Sequence, residues 1–397
     1  MNDTVVLAFS GGLDTSYCVK YLKHEKNLEI HAVLVNTGGF EETEIEEIKS
    51  RAISLGVSKF ESIDVTEEFY QKAIRYLIFG NILKNDTYPL SVSAERIFQA
   101  IAIAEYASKI SAKYIAHGST GAGNDQVRFD LAFNIICPDA EIITPIRDQQ
   151  LSRAQEIEYL KTHGVEMSWE KAKYSINKGL WGTSVGGAET LTSHRTLPDE
   201  AYPSQLVNEG KETITLAFRS GELVGINGNN TSSVECIQTL EKLASAYAIG
   251  RDMHVGDTII GIKGRVGFEA AAPMIIIKAH HTLEKHVLTK WQLYWKDQLA
   301  EWYGMMMHEG QYLDPVMRDI ETFFENTQQN VTGEVEIELY PYRFAVVGIT
   351  SKYDLMNSTF GDYGEMNNAW SGEDVKGFTK ILANQTKIHA AINKAKL

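Results

Sequence analysis

The sequence predicts an α/β protein: a doubly wound parallel sheet, then a second domain of α+β type, then a C-terminal helix. Three observations carry this. Val5 to Phe9 is continuously apolar, the pattern of a strand buried on both faces of a parallel sheet. Strand-like and helix-like segments alternate over the residues before about Gly164. Beyond that point, alternating strand patterns and turns replace the rhythm.

Gly11-Gly12 break the first strand, and Asp14 to Lys23 reads as a helix with Tyr17, Val19, Tyr21 and Leu22 among polar residues. Ile30 to Val35 predicts a second strand. Glu41 to Leu55 predicts a second helix with a solvated acidic start and Ile45, Ile48, Ala52 and Leu55 on one stripe. Lys59 to Asp64 predicts a third strand, Ile97 to Ile110 an amphipathic helix and Tyr114 to Ala116 a short strand. A doubly wound sheet binds ligands beyond the carboxyl ends of its strands. The loops after Phe9 and Ala116 both fall there. Further on, Thr213 to Arg219 and Val331 to Leu339 read as strands, with turns at Gly225 to Gly228 and near Tyr340-Pro341. Ser233 to Tyr247 and Leu283 to Met307 read as helices. Asp374 to Lys396 reads as a terminal helix with Phe378, Ile381, Leu382, Ile388 and Ile392 apolar. That stripe must bury against its own domain or another subunit, and the sequence leaves both open.

The chain has 397 residues, 44% apolar and 23% charged, an ordinary globular composition that suits two domains plus a tail. A formal net charge of −14 favours solubility and argues against a nucleic-acid surface. Cys18, Cys137 and Cys236 are widely spaced with no C-x-x-C. They predict a reducing, cytoplasmic setting without a disulfide framework. No signal-peptide pattern opens the chain, and no apolar run approaches the roughly 18 residues of a membrane span. His280, His281 and His286 lack the company of a ligand set, so no metal site is expected. Trp291, Tyr294, Trp295, Trp302 and Tyr303 fall at roughly helical spacing and read as core or subunit packing.

The strongest chemical signal is Ser10-Gly11-Gly12-Leu13-Asp14-Thr15-Ser16, between a buried strand and a helix start. Paired glycines let backbone N–H groups approach an anion closely. The helix N-terminus adds donors and partial positive charge. Ser10, Thr15 and Ser16 add hydroxyls, and Asp14 suits a magnesium ion shared with phosphates. It is neither a Walker A loop nor a dinucleotide fingerprint. The loop resembles the S-G-G-x-D-[ST] pattern of the N-type ATP pyrophosphatases. That resemblance implies cleavage of ATP between its α and β phosphates and transfer of AMP to a carbonyl-type oxygen.

The second signal is His117-Gly118-Ser119-Thr120-Gly121-Ala122-Gly123-Asn124-Asp125-Gln126-Val127-Arg128-Phe129. Thr120, Asn124 and Asp125 can read an amino acid's carboxylate and ammonium, and Arg128 is a fixed fork suited to a carboxylate. With this motif, and with Ala8-Phe9 before the first, the chain resembles the argininosuccinate synthase family over most of its length, more weakly after residue 200.

The resemblance implies the following. Citrulline's ureido oxygen attacks the α-phosphate of ATP, and the aspartate amine then displaces AMP. Residues 1–165 form the nucleotide-binding domain, 166–365 a synthetase domain and 366–397 an oligomerisation helix of a homotetramer. Ala8, Phe9, Ser10, Gly11, Gly12, Leu13, Asp14, Thr15 and Ser16 line the ATP phosphates, with magnesium carried on ATP. The Val35 backbone approaches adenine, and Gly118 contacts the nucleotide. Thr120, Asn124 and Asp125 match aspartate-binding positions. Tyr88, Ser93, Asn124, Arg128, Ser175 and Ser184 match citrulline-binding positions, with Asp125 and Arg128 at the chemistry. On residue type alone, Tyr88 before Pro89 also reads as turn packing, and Ser175 and Ser184 as helix caps.

Rival readings are weaker. A tRNA-thiolating enzyme would need placed cysteines and a basic face, and a GMP synthetase a glutaminase module. A non-catalytic nucleotide sensor would not need Asp14, Asn124, Asp125 and Arg128. The chain also departs from the resembled pattern. The family's citrulline-contacting glutamate falls on Gly256, its contacting tyrosine on Phe268, and a usual lysine on Ala122. Two readings stay open: Asp257 supplies the missing charge, or the substrate is a citrulline acylated on its α-amino group.

Overall fold

The computed structural model describes residues 2–166, 173–357, 361, 363–365 and 369–393. Strands and helices alternate at the start: β1 (Thr4–Ala8), α1 (Leu13–His24), β2 (Glu29–Asn36), α2 (Glu42–Leu55) and β3 (Lys59–Asp64). Two short helices follow, α3 (Thr66–Phe69) and α4 (Arg75–Phe79), joined by a π turn. Then come α5 (Ser91–Lys109), β4 (Tyr114–Ala116), α6 (Asp125–Ile136), β5 (Glu141–Ile143), α7 (Pro145–Asp148) and α8 (Arg153–Thr162).

The five strands pair in parallel in the order β3-β2-β1-β4-β5, with Leu7 opposite both Ala32 and Ala116. This is the doubly wound sheet that the sequence predicts. Val5, Val6 and Leu7 are fully buried because helices cover both faces. Val5, Leu7 and Phe9 join one core with Tyr17, Cys18, Val19 and Leu22 of α1 and Leu160 of α8. Residues of α5 lie outside that core, although α5 packs on β1 and β2. Successive side chains of a strand alternate between faces, so α5 takes the other one.

The α5 helix starts earlier than the sequence suggests and is buried nearly all round rather than along one stripe. It touches β1, β2, α6 and α11 (Lys290–His308), and also β6 (Ser175–Gly179) and β7 (Gly182–Gly186). Ala94, Ala100, Ala102, Ala104 and Ala107 permit this close approach from several sides.

The remaining elements are β8 (Glu212–Arg219), β9 (Glu222–Ile226), β10 (Asn229–Asn230), α9 (Ser233–Ser245), β11 (Arg251–Asp257) and β12 (Lys263–Glu269). After them run α10 (Ala271–Val287), α11, α12 (Val316–Gln328), β13 (Gly333–Tyr340) and β14 (Arg343–Thr350). They build two antiparallel sheets, ordered β10-β9-β8-β13-β14 and β11-β12-β7-β6. The expected helix from Leu283 to Met307 is two helices. Leu288 turns extended, and Thr289 starts α11 in a capping box with Gln292. Of the aromatic run only Tyr303 is buried, and Trp291, Tyr294, Trp295 and Trp302 are exposed.

Residues 353–397 cluster as a unit separate from 1–352. It carries α13 (Gly372–Leu382) and α14 (Asn384–Asn393) where one helix was expected. Phe378, Ile381, Leu382, Ile388 and Ile392 are exposed within it. Residues 366–368 and 394–397 of the expected terminal segment lie outside the described residues.

A buried polar cluster joins α10, α11, α12 and the end of α4. The Lys296 ammonium is fully buried, 2.9 Å from Glu284 Oε2, and donates to the Phe79 carbonyl at 3.0 Å. Glu284 also accepts from Asn81 and from Gln328. Burial pushes the neighbouring His280 down to about 4, so it stays neutral beside them. Removing one member of such a pair strands the other charge. Lys296→Met is therefore expected to cost about 3–5 kcal/mol in urea unfolding, whereas Lys296→Met with Glu284→Leu recovers most of that loss.

Candidate active site

The turn from β1 into α1 places Ser10 to Ser16 at the carboxyl edge of the parallel sheet. Gly11 takes φ +75°, a left-handed conformation open to glycine, and its carbonyl accepts from Arg51 of α2. Gly12 caps α1, and its own carbonyl accepts from Ser16 Oγ at 2.8 Å. The free N–H groups of the first turn of α1 thus face a cavity of about 710 Å³. Ala8, Phe9, Ser10, Gly12, Leu13, Asp14, Thr15 and Val35 all line it. Glu156 on α8 hydrogen-bonds with Asp14. Burial, then the charge of Asp14, push its carboxyl up to about 8, with Arg153 opposing. A carboxyl so raised holds its proton more readily beside Asp14 than a solvated one would.

The second loop follows β4 and enters the same cavity through His117, Gly118, Ser119, Thr120, Gly123 and Asp125. Its base is fixed by His117, whose Nδ1 accepts from the Ser119 N–H at 3.2 Å while Nε2 meets Asp130 at 2.9 Å. Gly118 allows contact with α1: a Cβ there would lie 3.4 Å from both Cys18 Sγ and Asp14 Cβ. Asn124 closes the loop against the β11–β12 hairpin, its Oδ1 accepting from the Ile259 N–H at 2.9 Å.

Arg96 of α5 joins the parts. Its Nε lies 3.3 Å from Asp125, one Nη donates to Gln99 at 2.7 Å, and the other donates to Asn177 of β6 at 3.0 Å. Asp125 also accepts from Arg128 at 2.8 Å. Burial raises a carboxyl, but the Arg96 and Arg128 guanidiniums outweigh it and hold Asp125 below the usual carboxylate range.

The expected citrulline set lies deeper. Tyr88, Ser93, Arg128 and Ser184 are buried and do not line the cavity. The Arg128 fork is occupied by the His308 carbonyl, through Nε at 3.1 Å and Nη2 at 2.7 Å, and by Ser93 and Asp125. The Tyr88 hydroxyl accepts from Ser91 and the Val92 N–H, and its ring stacks on His254 at 5.4 Å. Ser175 and Ser184 are not helix caps. They sit on the β6–β7 hairpin, where Ser175 pairs with Gly186 at an exposed position. Asp257 is three-quarters exposed and paired with Lys263 at 2.6 Å. At Gly256 a Cβ would lie 2.4 Å from His254 Nε2, so a side chain there would have to displace the His254 ring.

Sequence reasoning missed Glu95, Arg96, Gln99, Asn177 and Lys178, which all line the cavity. A signal was present for the first two: an acid and a base adjacent within the apolar run from Ala94 to Ile103.

Two family models match the chain. Residues 4–166 match the arginosuccinate synthase N-terminal HUP domain, and residues 174–389 match the arginosuccinate synthase C-terminal domain. The chain is 36% identical over 390 residues to the argininosuccinate synthase of Dictyoglomus thermophilum, covering 98% of each chain. It is 37% identical over 368 residues to that of Methanocaldococcus jannaschii, covering 92% of this chain and 93% of the other. It is 34% identical over 406 residues to that of Xylella fastidiosa, covering 99% of each. Both matched regions together with the two loops on one cavity lead to one conclusion: the chain belongs to the argininosuccinate synthase family.

Proposed function

We propose that this chain is an AMP-forming ligase that joins citrulline to aspartate with ATP, the argininosuccinate-forming step of arginine biosynthesis. The observation that carries the reading is that the Ser10–Ser16 loop and the His117–Arg128 loop open onto one cavity. The first supplies backbone donors, hydroxyls and a helix N-terminus for the phosphates of ATP. The Val35 strand end borders the same space for adenine, and Gly118 leaves room beside the nucleotide. Asp14, held by Glu156, suits the magnesium that accompanies ATP. The ureido oxygen of citrulline attacks the α-phosphorus and pyrophosphate departs. The aspartate amine then attacks the adenylated carbon and AMP departs.

In this reading Thr120, Asn124 and Asp125 hold aspartate. Tyr88, Ser93, Asn124, Arg128, Ser175 and Ser184 hold citrulline, and Arg128 acts largely by fixing Ser93 and Asp125. Residues 1–165 serve nucleotide binding, 166–365 complete the synthetase site, and 366–397 serve assembly. A cytoplasmic homotetramer fits the exposed apolar side chains of α13 and α14. Among the described residues no helix is long and apolar enough to cross a membrane.

Gly12 has φ −76°, which any residue adopts, and a Cβ there meets nothing closer than Ser10 Oγ at 3.6 Å. Gly12→Val is therefore expected to fold normally while its branches occupy the phosphate space. Citrulline-dependent ATP–pyrophosphate exchange should fall by about 100-fold or more, since displacement by an ångström can cost that much. Exchange at the wild-type rate would refute the phosphate role.

One observation supports a second substrate reading. The hairpin turns Asp257 toward Lys263 and leaves Gly256 without a side chain, so neither carries a carboxylate to the Tyr88 ring. A citrulline acylated on its α-amino nitrogen is uncharged there and needs none. Comparing kcat/KM for citrulline, N-acetylcitrulline and N-succinylcitrulline separates the two. A charged hydrogen bond is worth roughly 1.5–3 kcal/mol, about 10- to 150-fold. Free citrulline is expected to be the better substrate, as in the reaction of the family, and a preference of that size for an acylated form would transfer the assignment to it.

A further inference from the structure

We propose that Glu95 is the base that takes the ammonium proton of the attacking amino acid, a role resting on the ligase reading above. An ammonium has no lone pair, so the amine must lose a proton before it can attack. Glu95 then accepts one proton from the aspartate ammonium. The freed nitrogen pair forms the new bond to the adenylated carbon of citrulline. The carbon–oxygen bond to AMP breaks with its electrons on oxygen, and the second amine proton leaves with the AMP phosphate.

The geometry narrows the choice. Among the described residues, four carboxylates line the cavity: Asp14, Glu44, Glu95 and Asp125. Asp14 belongs to the phosphate loop and is held by Glu156. Glu44 caps the start of α2, where its carboxylate accepts the Glu41 N–H at 2.9 Å. Asp125 is ion-paired to Arg96 and Arg128 at once and is a poor proton acceptor. His117 also lines the cavity, but its two ring nitrogens are engaged by Ser119 and Asp130.

Glu95 differs from all of these. It is 3% exposed, faces the cavity, and sits on the Arg96 guanidinium that Asp125 also shares, with Oε1 3.5 Å from Arg96 Nη1. Gln99 donates to it at 2.8 Å and fixes its rotamer. Gly179 of β6 makes room for it: a Cβ there would lie 2.2 Å from Glu95 Oε2. Burial raises its carboxyl, and the Asp125 charge adds to that, while Arg96, Thr37 and Gln99 oppose. The charged groups facing it from neighbouring elements are Arg96 of α5 itself and Asp125 of α6. Lys178 of β6 and Asp14 of α1 line the same space. Two acids on one guanidinium, with proton affinities pushed apart, form a pattern of divided labour: Asp125 binds and Glu95 accepts.

The test separates the half-reactions. In Glu95→Gln, argininosuccinate formation should drop by about 10²-fold or more, the usual contribution of a positioned base. Citrulline-dependent ATP–pyrophosphate exchange, which needs no amine, should stay within a few-fold of wild type and certify the fold. Wild-type kcat for ligation should fall as pH drops through the raised value of Glu95, because a protonated carboxyl accepts nothing. That acid limb should vanish in Glu95→Gln, and Glu95→Asp should restore part of the rate. Equal loss of exchange and ligation, full ligation, or an unchanged acid limb in Glu95→Gln overturns the proposal. Absence of citrulline-dependent exchange in the wild-type chain would instead overturn the ligase reading beneath it.

Discussion

The site depends on one half-buried guanidinium. Arg96 can be drawn largely out of water because carboxylates and amides meet it from several directions. Those partners come from α5, α6 and β6, so compensating the charge also fixes how the three elements meet. A second tie sets the same geometry. Trp181, in the β6–β7 turn, is buried and donates its indole N–H to the Pro89 carbonyl at 3.0 Å, two residues before α5 begins. The antiparallel hairpin is thereby pinned to the helix that also packs on the parallel sheet. The cavity is the space left between these fixed pieces.

The electrostatics follow from that construction. A chain of net charge −14 must still receive a polyanion. It does so locally, with the N-terminus of α1, the paired glycines and the side chains of Arg153 and Lys178 around the cavity. The acids nearby are each restrained in a different way. Glu156 is raised by burial and by the charge of Asp14, Asp125 is held low between two guanidiniums, and Glu95 is raised by burial. Similar residue types therefore hold different proton affinities within one site.

Four of the five strands of the parallel sheet were legible in the sequence because each is a local segment, whereas β5, only three residues long, was not expected. Val5 to Phe9 and Ile30 to Val35 are apolar runs, and both ligand loops sit at strand ends where topology requires them. Lys59 to Asp64 emerges as β3 with the bounds expected. The other domain was less legible. Gly179 to Gly187 is glycine-rich and short, so β6 and β7 carry no alternation to read. Their sheet is completed by β12, more than seventy residues away, through pairs such as Phe268 with Ser184. Arg96 was missed for a similar reason. Its partners Asp125 and Asn177 are distant in sequence, and only the unusual acid–base pair inside an apolar helix hinted at them.

The departure at the β11–β12 hairpin is coherent as packing. Where the resembled pattern has a glutamate and a tyrosine, this chain has Gly256 and Phe268. Neither residue carries a polar side-chain atom, so this corner adds no buried side-chain donor or acceptor of its own to satisfy. His254 explains the glycine: its ring stacks on Tyr88 and occupies the ground a Cβ at 256 would need. Phe268, fully buried, packs on the same tyrosine at 5.6 Å. Burial, aided by Lys84, lowers the affinity of His254 for a proton, so the ring is predominantly neutral at pH 7. The wall beside Tyr88 is thus aromatic, with no carboxylate at position 256, where the resembled pattern is acidic. Whatever group of the substrate meets that wall meets neither a carboxylate from position 256 nor a hydroxyl from position 268.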